Sequence, residues 1–201
     1  MASESRWSPE GRAQLHFDVS EVIARAARAI DRKDYDLLRK VFHKDAYDDH
    51  GLWSGSIDTF IEVFDARHAH IDRTMHVNGN SLMLEVDAER REVLVETPCV
   101  AWSWLAPGAS VPGGLFTGSA DGATLTCVAN RYLDIVSDRD GRLGIAFRRV
   151  IFEWADTPRS LPPELPFDPS WCQAIRSRAD PSFTTLAEVH AELDQLRAAG
   201  S

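Results

Sequence analysis

This sequence has few cysteines, no long apolar run and no excess of basic residues. Its three cysteines are an odd number without a Cys-x-x-Cys spacing, so neither a disulfide framework nor a structural zinc site is indicated. No apolar run approaches the roughly 20 residues of a membrane-spanning helix, and residues 1–18 contain no apolar signal core. We therefore expect a cytoplasmic protein with reduced thiols and no membrane partner.

The charge balance is acidic. There are 22 Lys and Arg residues against 31 Asp and Glu residues, which gives a formal net charge of −9. Nucleic-acid binding needs a basic surface, so we expect no nucleic-acid partner. A hydrophobic fraction of 44% is typical of a soluble globular protein. The length of 201 residues suits one domain, with about 40 to 50 residues more than a common single-domain core contains.

The hydrophobic period changes along the chain. Spacings of three and four predict helices over Ser20–Ala29, with Ser20 as N-cap, over Tyr35–Phe42, and over Thr59–Ala69, capped by Ser56 or Asp58. A period of two then predicts four strand regions: Thr74–Val86, Glu92–Trp104, Thr124–Ser137 and Leu143–Trp154. Helices followed by hairpin-linked strands indicate an α+β fold. We expect a cone-shaped, curved antiparallel sheet wrapped around the N-terminal helices, enclosing a one-ended pocket.

Three segments fall outside this regular pattern. Residues 107–122 are rich in glycine and predict a long loop, and residues 156–169 are rich in proline. A final amphipathic helix is predicted over Thr185–Ala199. We therefore divide the chain into an N-terminal extension (1–17), a main domain (18–156) and a proline-rich tail with a C-terminal helix (157–201).

Several motifs together carry a family resemblance. The run from Ala29 to Phe42 has an apolar helix end, Asp31, Asp34, an aromatic residue and a short amphipathic helix. His43–Gly51 continues it with an extended segment, Thr74–Asn80 is a strand carrying a histidine, and Asn130–Asp134 begins a closing hairpin. This order resembles scytalone dehydratase and its relatives in the SnoaL-like branch of the nuclear transport factor 2-like superfamily.

The resemblance implies specific site residues. Asp31 and His76 match an aspartate and a histidine that form a general acid/base pair in scytalone dehydratase and hexachlorocyclohexane dehydrochlorinase. His50 falls near a tyrosine that activates the leaving group or a water, and Asn130 falls near an asparagine that binds substrate. His50 therefore replaces a tyrosine of the dehydratase.

Two further residues are candidates for substrate binding. Tyr47 lies in the same extended segment as His50, on the alternate face from Asp48 and His50. The resemblance favours the His50 face as the inward one. Glu96 lies mid-strand beside apolar residues, and the pattern allows it to face either the pocket or solvent.

The predicted reaction needs no metal or other cofactor. His68, His70, Asp72 and His76 invite a metal interpretation, but no distant third ligand stands out. Cys99 lacks an identifiable base partner for nucleophilic catalysis.

We predict a cofactor-independent lyase, of dehydratase or dehydrohalogenase type, for a small hydrophobic cyclic or aromatic substrate. The alternatives are an isomerase, cyclase or carbon–carbon lyase using the same pocket, a ligand-binding module, and a non-catalytic small subunit of a ring-hydroxylating dioxygenase. The resemblance also implies a homo-oligomer, either a trimer or a dimer.

Overall fold

A computed structural model gives the fold of the main domain. It describes residues 6–51, 53–109, 122–156 and 159–161, and then 175, 177–183, 185, 187–188, 190–191 and 195. Most of the predicted loop 107–122, the proline-rich stretch after residue 161 and most of the predicted final helix lie outside the described residues. The predicted boundary between residues 17 and 18 falls inside the first helix.

Three α-helices precede most of the sheet. They are α1 (Arg12–Asp31), α2 (Tyr35–Val41) and α3 (Ile57–Arg67). The prediction that Ser20 caps α1 is wrong, since its hydroxyl donates to the His16 carbonyl at 2.8 Å inside the helix. The helix extends further because Leu15 and Val19 continue the stripe of Ile23 and are buried in the core. Each such side chain contributes about 1.5–3 kcal/mol on burial.

Side chains fix the starts of the two shorter helices. Asp34 caps α2 by accepting a hydrogen bond from the Leu37 N–H at 3.2 Å. Ser56 caps α3 by accepting from the Thr59 N–H at 3.3 Å, one of the two caps expected from the sequence. Helix α1 ends just before Lys33, which has a left-handed backbone (φ 51°), and the Asp34 N–H then donates to the Ala29 carbonyl at 2.8 Å.

Eight strands form one sheet in the described residues. Its path is β2-β1-β7-β6-β5-β3, with β4 also paired to β5 and β8 to β6. The prediction of a curved, mostly antiparallel sheet around the helices is confirmed, although β1 and β7 pair in parallel. The strands are β1 (Phe42–Asp49), β2 (Ser54–Ser56), β3 (Ile71–Asn78), β4 (Leu82–Asp87), β5 (Glu92–Leu105), β6 (Ala123–Arg139), β7 (Arg142–Ala155) and β8 (Arg159–Leu161).

The first long predicted strand is divided in two. Asn78 ends β3 opposite Cys99, and Leu82 resumes pairing opposite Glu96, so β3 and β4 follow the same edge of β5. The Gly79 N–H donates to the Pro98 carbonyl at 2.7 Å across the break. The glycine therefore marks an interruption of the ladder rather than a hairpin turn.

The core lies between the helices and the inner face of the sheet. It joins α1 side chains such as Val19 and Ile23 to Val93, Val95 and Val136 of the sheet. The outer face instead carries exposed apolar side chains, including Met75 and Val77 of β3. None of the helices in the described part of the chain is both long enough and apolar enough to cross a bilayer.

Candidate functional site

A cavity of about 180 Å³ lies between the inner face of the curved sheet and helix α3. Its walls are largely apolar, and aromatic rings come from both helix and sheet. The aromatic and aliphatic lining residues are Trp53, Phe60, Val63, Phe64, Ile71, Leu105, Val128, Tyr132, Val150 and Phe152. The polar lining residues are His50, Arg67, His68, His76, Ser103, Thr126 and Asn130. A cavity of about 150 Å³ accommodates a benzene ring, so this volume suits a compound with one ring.

Asp31 and His76 form a hydrogen-bonded pair at the cavity wall. The Asp31 Oδ1 lies 2.6 Å from His76 Nδ1, and its Oδ2 accepts the His76 backbone N–H at 2.9 Å. The Thr74 hydroxyl donates to Asp31 Oδ1 at 2.9 Å. Asp31 ends α1, and Thr74 and His76 share one face of β3 because strand side chains alternate. The structure thus joins two residues that are 45 positions apart.

The surroundings of Asp31 favour its charged form. Burial opposes ionisation, but the hydrogen bonds and positive charge of His76, together with the Thr74 hydroxyl, outweigh it and lower the pKa of Asp31. A carboxylate can only accept hydrogen bonds, so Nδ1 of His76 carries the proton of their shared bond. In neutral His76 the other ring nitrogen, Nε2, is then free to act as a base.

His50 belongs to a second histidine–aspartate pair. Its Nδ1 makes a very short hydrogen bond with Oδ1 of Asp48, which is 1% exposed. Asp48 lies in β1 and His50 directly follows that strand, so alternation places both side chains inward. The His50 backbone N–H donates to the Trp53 carbonyl at 2.8 Å, which fixes the segment beside the cavity. Sequence reasoning placed His50 inward but did not identify Asp48 as its partner.

A buried ion pair lies behind this second pair. Arg148 donates to both carboxylate oxygens of Asp134, at 2.8 and 2.7 Å, and both side chains are almost fully buried. The guanidinium also lies 4.0 Å from the centre of the Tyr132 ring, which lines the cavity. Burial opposes its charge, but Asp134 and the nearby Asp48 outweigh that effect and raise the pKa of Arg148. Arg148 therefore supplies a fixed positive charge near Asp48.

Asn130 lines the cavity with an unused polar atom. It is 7% exposed, and its buried Oδ1 has no hydrogen-bond partner in the described residues. An unsatisfied buried amide oxygen costs about 1–3 kcal/mol unless something bonds to it. A hydroxyl or amine on a bound compound would satisfy it. This placement agrees with the substrate-binding role expected for Asn130, a role that stays a prediction.

Tyr47 and Glu96, the two further candidates for substrate binding, are not among the residues that line the cavity. Tyr47 alternates with the inward Asp48, so it is 48% exposed, and its hydroxyl donates to Ser54 at 2.9 Å. Glu96 lies between the fully buried Val95 and Thr97 of β5 and accepts from Arg131 at 2.8 Å. Alternation directs it to the outer face.

Arg67 is the cavity residue that sequence reasoning missed. It ends α3, and its Nε is buried without a hydrogen-bond partner in the described residues. Burial lowers the pKa of its guanidinium. The neighbouring His68 stacks on Phe64 with 3.6 Å between ring centres and also lines the cavity. The sequence did hold one signal, because Arg67 follows Phe60 and Phe64 at helical spacing and so lies on the same face of α3. At a helix end, however, that spacing does not fix the direction of a side chain.

The other chemical candidates are not placed for catalysis. Burial raises the pKa of the Cys99 thiol, which suppresses the thiolate needed for nucleophilic attack. Among the described residues no group of three or more His, Cys, Asp or Glu side chains is arranged to hold a metal ion. His68 and His76 line the cavity without forming such a group.

Comparison with known proteins identifies the domain. The chain matches the sequence model of the SnoaL-like domain over residues 12–149. No curated protein sequence matches the chain.

Solved structures share the fold at low sequence identity. A protein from Novosphingobium aromaticivorans, named as a candidate scytalone dehydratase, is 13% identical with a TM-score of 0.61, covering 78% of this chain and 97% of that one. Hexachlorocyclohexane dehydrochlorinase type 3 from Novosphingobium barchaimii is 14% identical with a TM-score of 0.62, covering 79% and 99%. The beta subunit of a candidate aromatic-ring-hydroxylating dioxygenase from N. aromaticivorans is 15% identical with a TM-score of 0.50, covering 71% and 92%. At these identities the likeness establishes the fold and leaves the reaction open.

Proposed function

Because the chain belongs to the SnoaL-like family, we propose that it is a cofactor-independent lyase of dehydratase or dehydrohalogenase type. The observation that carries this proposal is the Asp31–His76 pair at the wall of an apolar cavity. The substrate is a small hydrophobic cyclic or aromatic compound, since the largely apolar cavity of about 180 Å³ has room for a ring.

His76 acts as the general base in this proposal. Asp31 holds the proton on Nδ1, so Nε2 can remove a proton from a substrate carbon. The electron pair of the broken C–H bond forms the new C=C bond, and the leaving group departs with the electron pair of its own bond. Asp31 then stabilises the imidazolium that results. Such a positioned base typically accelerates a reaction by about 10²- to 10⁴-fold.

His50 is suited to assist the leaving group. Because Asp48 occupies Nδ1 of His50, a protonated His50 would present Nε2–H, which can donate a proton to a departing hydroxide, which leaves as water, or a hydrogen bond to a departing halide. In a dehydration His76 gains one proton and His50 loses one, so exchange with solvent returns both residues to their starting states. Two histidines that each have an aspartate partner supply a base and an acid without a cofactor.

Replacement of His76 by alanine tests this proposal. The assay follows loss of water or halide from single-ring compounds with a β-hydroxyl or β-halogen, both ketones and carboxylates, to products detected by ultraviolet absorbance. His76→Ala should lower turnover by about 10²- to 10⁴-fold without unfolding the protein. His16→Ala is the matched control, since His16 bonds the Ser81 carbonyl outside the cavity. Equal turnover in His76→Ala and wild type would overturn the assignment.

The same base can serve an isomerase, a cyclase or a carbon–carbon lyase. In an isomerase His76 would return the proton to another carbon, and the product would keep the substrate's mass. Mass spectrometry of the product therefore separates an isomerase from an eliminating lyase.

A non-catalytic subunit is the second candidate function. Exposed apolar side chains on the outer face, including Met75 at 62% and Trp154 at 55% exposure, favour contact with another protein. In that case His76→Ala would leave the activity of the assembled complex unchanged.

A further inference from the structure

The side chains lining the cavity that can carry a charge near neutral pH are all of the basic type. Its lining includes Arg67 and three histidines, and no aspartate or glutamate is among the lining residues. The chain as a whole has a net charge of −9, so this distribution does not follow from composition. Asp31 and Asp48 each lie behind a histidine and face it rather than the cavity. A ligand in the cavity therefore meets apolar side chains, histidine nitrogens and the Arg67 guanidinium, and no carboxylate of the described lining.

Arg67 has no counter-charge in the described part of the chain. Its Nε is buried and unbonded, and no carboxylate there pairs with its guanidinium. Arg6 and Arg32 also have an unbonded Nε, but both make ion pairs, with Asp18 and Asp180. Arg148, which is more deeply buried, is matched by a bidentate bond to Asp134.

An unpaired cation in an apolar wall is unfavourable. Arg67 is half-buried, so its guanidinium is partly taken out of water, and an opposite charge brought to it would offset the desolvation cost. The neighbouring wall of α3 consists of apolar side chains such as Phe60, Val63 and Phe64, which cannot supply that charge. Arg67 is therefore prepared for an anion that comes from outside the chain.

We propose that the substrate is a carboxylate, with its carboxylate group bound by Arg67 and its ring packed against the aromatic wall. A guanidinium donates two parallel hydrogen bonds that match the two oxygens of a carboxylate. The cavity volume leaves room for one ring beside that group. This inference rests on the proposed function for the identity of the pocket as a substrate site, and it narrows the substrate class to small cyclic or aromatic carboxylates.

Binding measurements test this proposal without any turnover. Isothermal titration calorimetry compares benzoate and cyclohexanecarboxylate with benzamide, which has the shape of benzoate but no charge. We expect the wild-type protein to bind the carboxylates at least about tenfold more tightly than benzamide. Arg67→Met, which keeps the length of the side chain, should abolish that preference, and Arg67→Lys should retain part of it. Arg25→Met is the control, because Arg25 is exposed on α1 and pairs with Glu21.

Three results would overturn the proposal. They are equal binding of benzoate and benzamide by the wild type, an undiminished preference in Arg67→Met, and no detectable binding of either carboxylate. A fourth result would also overturn the proposal. If His50→Ala lost the preference for carboxylates over benzamide and Arg67→Met kept it, the anion would bind on the His50 side of the cavity.

His76→Ala separates this inference from the proposed function. That variant should lose turnover and still bind benzoate as the wild type does. If the wild type binds benzoate through Arg67 but catalyses no elimination, the substrate-class inference stands and the lyase proposal fails.

Discussion

Replacing Asp31 by asparagine should reverse the tautomer of His76. Asp31 accepts three hydrogen bonds, from the Thr74 hydroxyl at 2.9 Å, the His76 backbone N–H at 2.9 Å and the His76 ring at 2.6 Å. An asparagine has one acceptor oxygen and one donor NH₂ group in the same places. If the NH₂ group faced the backbone N–H of His76, two hydrogen-bond donors would oppose each other, and the backbone N–H cannot rotate away. The amide should therefore place its NH₂ toward Nδ1, and the ring proton should move to Nε2.

The size of the effect follows from this geometry. With the proton on Nε2, His76 has no basic nitrogen facing the cavity, and turnover should fall by about 10⁴-fold, as it does when a triad aspartate is replaced in this way. Hydrogen bonds to a charged acceptor each contribute about 1.5–3 kcal/mol, so weakening them should lower the free energy of unfolding by about 2 kcal/mol. The folded pKa of Asp31 is lowered, so this stabilisation is present at neutral pH and is lost on acidification through that pKa.

Nitrogen-15 NMR of the histidine rings measures the tautomer without a substrate. The His76 signals are assigned by their disappearance in His76→Ala, and urea unfolding gives the change in stability. Thr74→Val is the control, because it removes one hydrogen bond to Asp31, lowers stability by about 1 kcal/mol and leaves the tautomer unchanged. If Asp31→Asn kept the proton on Nδ1 and retained full turnover, Asp31 would not orient His76 and the reasoning would be refuted.

The remaining predictions concern buried charges away from the His76 pair. Arg148→Met should lower the free energy of unfolding by about 3–5 kcal/mol, because it leaves the buried Asp134 carboxyl, whose pKa burial already raises, without its ion-pair partner, and the double variant Arg148→Met/Asp134→Leu should recover most of that loss in urea unfolding. An equally unstable double variant would contradict this account. Burial opposes the charge on Asp180, but hydrogen bonds from Ser182 and the Ile175 N–H hold its pKa at about 2. Since the folded pKa is below the unfolded value of about 3.9, Asp180→Asn should be less stable by about 1 kcal/mol near neutral pH, a difference that disappears between about pH 4 and about pH 2. Unfolding curves that differ equally at both pH values would argue against it.

The sequence predicts most of the fold because period and capping are local properties. Ser56 caps α3, and β5, β6 and β7 lie within two residues of their predicted bounds. The missed features depend on tertiary packing. Residues 12–19 are mixed in character, and only the burial of Leu15 and Val19 in the core shows that α1 begins at Arg12.

The candidate site divides in the same way. Asp31 and His76 could be paired only by family resemblance, since 45 residues separate them and no local rule joins them. Tyr47 and His50 lie in one short extended segment on opposite faces, so only one of the two side chains can point toward the cavity. Burial of Asp48 settles that choice in favour of His50. Arg67 could not be assigned from sequence, because a charged residue at a helix end is usually solvated.

The segment around Asp180 links the chain beyond the SnoaL-like match to the site. Asp180 pairs with Arg32 at 3.1 Å, and Arg178 pairs with Asp34 at 2.8 Å. Both partners follow Asp31 in the turn between α1 and α2, and Arg28, about one helical turn before Asp31, donates to the Ser182 hydroxyl at 2.9 Å. Residues 178–182 thus hold both sides of the turn that positions the carboxylate for His76. None of these residues lines the cavity, so their connection to the Asp31–His76 hydrogen bond runs through the backbone of this turn.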